Sequence, residues 1–308
     1  MNPMQRPLSG CVVNLSISES DDSLGRGFPG WQVNRVTLQV VVALFGQGVG
    51  VVFGHDWRED GVMEVVHGFA RQMQPPVPLA PAEAENSAEP LLRNILPWPD
   101  EPRLSNEDLE RLTSTLRVEK AGLPDELRRY EEAAKKEGSS SPLYRYIRAR
   151  GLTNLRHRLN ALSHARLCVG GRTAGAAGRC PGVIEEALLA LQGGKPLYLA
   201  GLLGGATNQI IQAFRGAKMP ETFCAPTQVN ELYVVPPVVE RDPATRQDRL
   251  VDRSAVWDDF WKAGRASLSE TNGLSTEENE ELFSTLVLDR MIQLVLTGLS
   301  RLRSKSRL

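Results

Sequence analysis

Two spacings of apolar residues alternate along the chain. Short apolar runs read as strands, and longer stretches with apolar residues every three or four positions read as helices. Cys11 to Ile17 is the first strand. Trp31 to Phe45 carries Val33, Val36, Val40, Ala43 and Leu44 at helical spacing, and Gly46 and Gly48 stop that helix. Val49 to Phe53 is a second strand, and a helix follows from Asp60-Gly61 to Gln72. Leu91 to Leu96 and Thr115 to Lys120 read as the third and fourth strands. Ser105-x-x-Asp108 caps a helix to Ser114 between them. Asp125 to Glu137 predicts one charged helix ending at Gly138, and Tyr144 to His164 a strongly basic one.

The pattern then tightens. Ala165 to Val169 is an apolar run ending in Gly170-Gly171, and Pro181-Gly182 opens a helix that Gly193-Gly194 closes. Pro196 to Ala200 is the next strand, ending in Gly201 and Gly204-Gly205, and Asn208 to Phe214 is helical. Val229 to Pro237 is an edge strand or a loop. Ser254 to Lys262 spaces Val256, Trp257, Phe260 and Trp261 as a helix does. Ser275-x-x-Glu278 is a capping box, and it starts a helix with Leu282, Phe283, Leu286, Met291, Leu294 and Val295 on its apolar side. Strands alternating with helices predict an α/β fold. The expectation is a parallel, Rossmann-like sheet of about six or seven strands with helices on both faces, plus a helical C-terminal region. Residues 1–220 are expected to form the sheet domain and 221–308 a helical extension packed on it, with the Pro-, Ala- and Glu-rich residues 74–90 as a surface connection.

Composition narrows the class. In 308 residues, 41% are hydrophobic and 24% charged, which suits a globular protein with a substantial core. Lys plus Arg is 36 against Asp plus Glu 37, so no global basic field points to nucleic acid. The four cysteines, Cys11, Cys168, Cys180 and Cys224, lack metal-ligand spacing, and no metal or resident cofactor is expected. With no signal peptide and no apolar run of membrane length, the cytoplasm is the expected compartment.

The candidate chemistry lies where strands end. Ser18, Glu19 and Ser20 follow the first strand, Gly54, His55 and Asp56 the second, Gly170, Gly171 and Arg172 a later one, and Gly201, Gly204 and Gly205 the next. In a parallel sheet these ends share one edge, where ligands bind. Gly182 opens a helix whose N–H groups favour a phosphate, and Glu186 lies one turn further on. Gly25 to Gly30 matches GxGxxG, but a polar stretch separates it from the strand and Pro29 sits inside it, which argues against a dinucleotide fingerprint.

The segments Leu155-Arg156, Gly170-Gly171-Arg172, Gly178 to Leu191, Lys195 to Leu199 and Gly204-Gly205 occur in an order that resembles the SLOG superfamily. That Rossmann-like group includes the LOG phosphoribohydrolases. The match spans roughly residues 10 to 215, and it is similar above all to a prokaryotic branch related to the N-terminal domain of melastatin-type TRP channels. The resemblance implies binding of a nucleotide or nucleotide-derived ligand, ADP-ribose-like, in a sensing role in signalling or defence. It adds Arg179 and Glu185 to the candidate ligand-binding residues. It also implies an alternative, a LOG-like hydrolase that cleaves the N-glycosidic bond of a nucleoside monophosphate. There Glu186 would be the catalytic carboxylate and Arg156 would orient the substrate. The LOG signature PGGxGTxxE departs here, with Gly178, Arg179 and Cys180 for its leading residues and Val183 for its threonine. A homodimer is expected, as LOG proteins associate through helices near the site and the Tyr144–His164 and C-terminal helices offer apolar faces.

Overall fold

The computed structural model describes residues 6–54, 62–73, 91–99, 116–173, 180–220, 223 and 253–305. The expected strand at 229–237 and the helix at 105–114 lie outside them. Six strands form one sheet: β1 (Val12–Ser18), β2 (Gly50–Gly54), β3 (Leu92–Leu96), β4 (Leu116–Lys120), β5 (Ala165–Gly170) and β6 (Leu197–Ala200). Their order is β4-β3-β2-β1-β5-β6, and every neighbouring pair is parallel.

The sheet is covered on both sides. Val13 and Leu15 of β1 and Leu167 and Val169 of β5 point to one face. There they join Val33, Val36, Val40 and Leu44 of α1 (Gly30–Gly46) and Met63 and Val66 of α2 (Met63–Met73). Two short helices, α3 (Asp125–Arg128) and α4 (Glu131–Glu137), stand where the sequence suggested one, because the chain turns at Arg129-Tyr130. The opposite face is covered by α5 (Pro142–Leu162), whose Leu155 and Leu159 meet Val52 and Ile95. Ser141 caps α5 by accepting from Tyr144 N at 3.1 Å, and Pro142 occupies the first helical position. The helices α6 (Gly182–Gln192) and α7 (Gly205–Phe214) join a second apolar cluster with Cys168, Leu197 and Leu199. A single 3₁₀ turn, Gly201–Leu203, separates β6 from α7.

Three C-terminal helices complete the molecule. In α8 (Arg253–Thr271), Trp257 and Phe260 pack in the α6–α7 cluster, and the helix kinks at Gly264. The capping box at Ser275 is formed and opens α9 (Thr276–Ser284). The helix expected to run on through Val295 breaks at 285–287. Thr285 is extended (φ −65°, ψ 135°), and α10 (Leu288–Ser304) starts afresh. Leu286, expected on the apolar side, is therefore 55% exposed. Met291, Leu294, Val295 and Leu299 of α10 return to the cluster that holds Val13 and Val36. The apolar residues of α5 are likewise enclosed: Leu143, Tyr146, Ile147, Leu155 and Leu159 are all buried, so its apolar face serves the fold.

Candidate functional site at the strand-order reversal

From β1 the chain builds outward through β2, β3 and β4. It then returns to set β5 on the other side of β1, with β6 beyond. Ser18 and Gly170 are register partners at the carboxyl ends of β1 and β5. Open α/β sheets bind ligands in the crevice outside such a reversal.

Three loops are stitched together there. Gly171 N donates to Ser18 O (3.0 Å), Ala206 N to Gly171 O (2.8 Å) and Thr207 Oγ1 to Gly170 O (2.9 Å). This closeness requires glycine at two positions. Gly170 has φ +75°, and a Cβ there would lie 2.2 Å from Ser18 O. Gly205 has φ +58°, and its Cβ would lie 2.2 Å from Gly171 O. The 19–29 loop reaches across the same turn. Ser20 Oγ donates to Leu203 O, Arg26 Nη1 to Gly201 O (3.0 Å) and Thr173 Oγ1 to Asp21 Oδ2 (2.8 Å).

The starts of α6 and α7 differ. Gly205 N, at the start of α7, donates to Asp22 Oδ2 at 2.9 Å, so a carboxylate already takes that end of the dipole. At the start of α6 the N-cap residue is Pro181, whose side chain offers no cap, and among the described residues Glu185 is the acid of its first turn. Beside it lies Arg156 of α5: a Cβ on Gly182 would come within 3.0 Å of Nη2. Glycine there lets the guanidinium lie against the first turn of α6.

Behind that turn is a buried chain of charges. Arg156 Nη1 donates to Glu185 Oε2, and Thr153 Oγ1 donates to Glu185 Oε1 at 2.7 Å. Arg156 Nε stands 3.6 Å from Glu186 Oε1. Ser16 Oγ and Arg166 Nη1 both donate to Glu186 Oε2, the latter at 3.0 Å. Arg166 Nη1 also donates to Ser16 Oγ at 2.8 Å. Arg166 is fully buried on β5. Cys168, two residues on, has its thiol pushed up to about 12 by burial, with Glu186 adding to the rise and Arg166 and Ser16 opposing it. A thiol so held stays protonated and is no nucleophile near neutral pH.

The remaining candidates separate by position. Ser18, Glu19 and Arg172 are exposed at the crevice, and the Glu19 carboxylate lies over Gly30, the last residue of the GxGxxG stretch and the first of α1. Gly204 adjoins Asp22 and Arg26. Gly54 faces α5 instead, where a Cβ would lie 2.8 Å from Leu159 Cδ1, and Gly201 faces the Phe283 carbonyl of α9. His55, Asp56 and Arg179 lie outside the described residues. Sequence reasoning missed Ser16, Arg26, Thr153 and Arg166 as site residues. A signal for two of them was present: polar residues alternate along β1 at Asn14, Ser16 and Ser18, and Arg166 interrupts what reads as an apolar run in β5. Among the described residues no three His, Cys, Asp or Glu side chains gather as a metal site. No helix among them is long and apolar enough to cross a membrane.

Fold and crevice define a Rossmann-like protein with glycine-bearing loops meeting at its strand-order reversal. A family model described as SLOG cluster2 matches residues 7–282, and the chain belongs to that family. No curated protein matches the chain.

Proposed function

We propose that the crevice binds a nucleotide or a nucleotide-derived molecule of the ADP-ribose kind, and that the protein acts as its sensor. The observation that carries this reading is the start of α6, where Pro181 supplies no side-chain cap and Arg156 is laid against Gly182. Backbone N–H groups, the helix dipole and a guanidinium together suit a phosphate. Glu186, one turn into α6, is suited to sugar hydroxyls, because a carboxylate beside the phosphate itself would repel it. The matching family includes nucleotide-binding members and supports this ligand class. Membership of the branch related to melastatin-type channel domains, residence in the cytoplasm and a homodimeric state belong to the same proposal.

One observation favours the hydrolase as a second reading. Arg156 and Glu186 stand 3.6 Å apart beside one helix start, and a fixed carboxylate can stabilise an oxocarbenium carbon. Against it, Val183 stands where the LOG signature has threonine, so the loop offers one hydroxyl fewer.

Incubation with AMP, IMP and ADP-ribose separates the two. The sensor gives a thermal shift with the nucleotide recovered intact. Release of free base with turnover overturns the sensor in favour of the hydrolase.

A further inference from the structure

Arg166 is the least expected side chain in the sheet. It is fully buried, and among the described residues its Nε and Nη2 have no hydrogen-bond partner. Its register partner Asn14, also buried, has an unpartnered amide. All the hydrogen bonds its guanidinium makes to protein come from one nitrogen, Nη1, and they go to Ser16 Oγ and Glu186 Oε2. A buried arginine so poorly satisfied is a poor way to stabilise a core, and replacing such an ion pair as a whole by apolar residues of similar volume is often neutral or stabilising. Its effect is concentrated on Glu186.

The neighbouring charges sharpen this. Glu185 is taken by Arg156 and Thr153. Lys195, close enough to Arg166 for the two charges to repel, donates to the carbonyls of Asn160 and Ser163. Glu186 is thus the carboxylate left to Arg166. Its Oε2 is held from the sheet by two donors, while among the described residues Oε1 meets only the 3.6 Å approach of Arg156. The side chain keeps 17% of its surface, against 8% for Glu185.

We infer that Arg166 and Ser16 are positioning residues for Glu186. They fix Oε2 against the sheet so that Oε1 is presented, in one orientation, to the hydroxyls of a ligand's ribose. The inference rests on the nucleotide reading above and adds to it the two residues that set recognition of the sugar. Neither touches ligand. Preorganising a charged acceptor this way removes the entropy of ordering it on binding.

The test compares affinities for AMP and 2′,3′-dideoxy-AMP in wild type, Arg166→Met and Ser16→Ala. Taking the ratio of the two affinities cancels any loss of active protein through misfolding. Wild type should prefer AMP by about tenfold, the worth of one hydrogen bond to a charged group. In both variants that ratio should fall toward one. If the variants weaken both probes equally and keep the ratio, Arg166 and Ser16 are merely structural and the inference is overturned. A wild type that binds AMP without preferring it overturns the inference too, leaving the nucleotide reading intact. If wild type binds neither probe, the nucleotide reading fails, and the positioning role fails with it.

Discussion

Removing Arg156 while keeping Glu185 tests the buried core of the site. The two side chains are 10% and 8% exposed. In Arg156→Ala, the Glu185 carboxylate keeps only the Thr153 hydroxyl, at 2.7 Å. Two unit charges about 4 Å apart at an effective dielectric near 20 interact by about 4 kcal/mol. A remaining hydrogen bond to a charged group is worth ~1.5–3 kcal/mol, but it already exists in the wild type and offsets none of the loss. Breaking a buried pair from one side typically costs about 3–5 kcal/mol, and because both side chains keep some exposure to solvent the lower end applies. We therefore expect a loss of roughly 3 kcal/mol, read by urea denaturation, and a midpoint lowered by roughly 6–12 °C in a thermal melt. The double variant Arg156→Met/Glu185→Met should recover most of this, since replacing both charges with apolar volume removes the uncompensated carboxylate. A loss under about 1 kcal/mol, the range of exposed pairs, would refute the placement of α5 against α6 described above. So would a double variant that is less stable than the single one.

Other expectations follow from single contacts. In Gly201→Ala the new Cβ would lie 1.9 Å from the Phe283 carbonyl, so α9 must shift; a loss of about 1–3 kcal/mol in denaturation is expected, and none would contradict the docking of α9 on β6. Burial pushes Cys11 up to about 11 and Cys168 up to about 12, from an ordinary 9.0. Because the folded values are raised, their contribution is complete below pH 9 and is lost as pH climbs toward 11 and 12, so denaturation midpoints should fall between pH 9 and 11. A midpoint that stays level through that window would contradict it. Peptide mapping after thiol alkylation near pH 8 should find Cys11, Cys168 and Cys180 unmodified until denaturant is added, and early labelling of any of them would contradict their burial. Light scattering should give a dimer, and a monomer at high concentration would remove that part of the proposal.

Much of the fold was legible because periodicity reports burial directly. The β1, β2, β3, β5 and β6 runs and the α1 stripe all appear within a residue or two of where their apolar residues suggest. The capping box at Ser275 was readable because both of its partners lie within one helical turn. Errors came where local pattern and chain direction part. The apolar spacing continues through Leu286, yet extended backbone at Thr285 and Val287 breaks the helix and turns Leu286 outward. In the candidate site, Gly182, Glu185, Glu186 and Arg156 are legible as motif positions, and the structure brings them into contact. The roles of Ser16 and Arg166 were not, because they depend on the pairing of β1 with β5, some 150 residues apart in the chain. Glycine identity alone also does not separate crevice from core: Gly170 and Gly205 are required where loops meet, Gly54 and Gly201 where helices press on strands.

The most direct test of the central claim is a calorimetric titration of ADP-ribose into wild type, Gly182→Glu and Glu186→Ala. The Gly182→Glu side chain brings bulk and negative charge to the start of α6, against Arg156 Nη2. Wild type should bind saturably, Gly182→Glu should lose at least about tenfold in affinity, and Glu186→Ala should be weakened by a comparable or smaller factor. If both variants fold as wild type does and bind ADP-ribose equally tightly, the crevice at the start of α6 is not the ligand site.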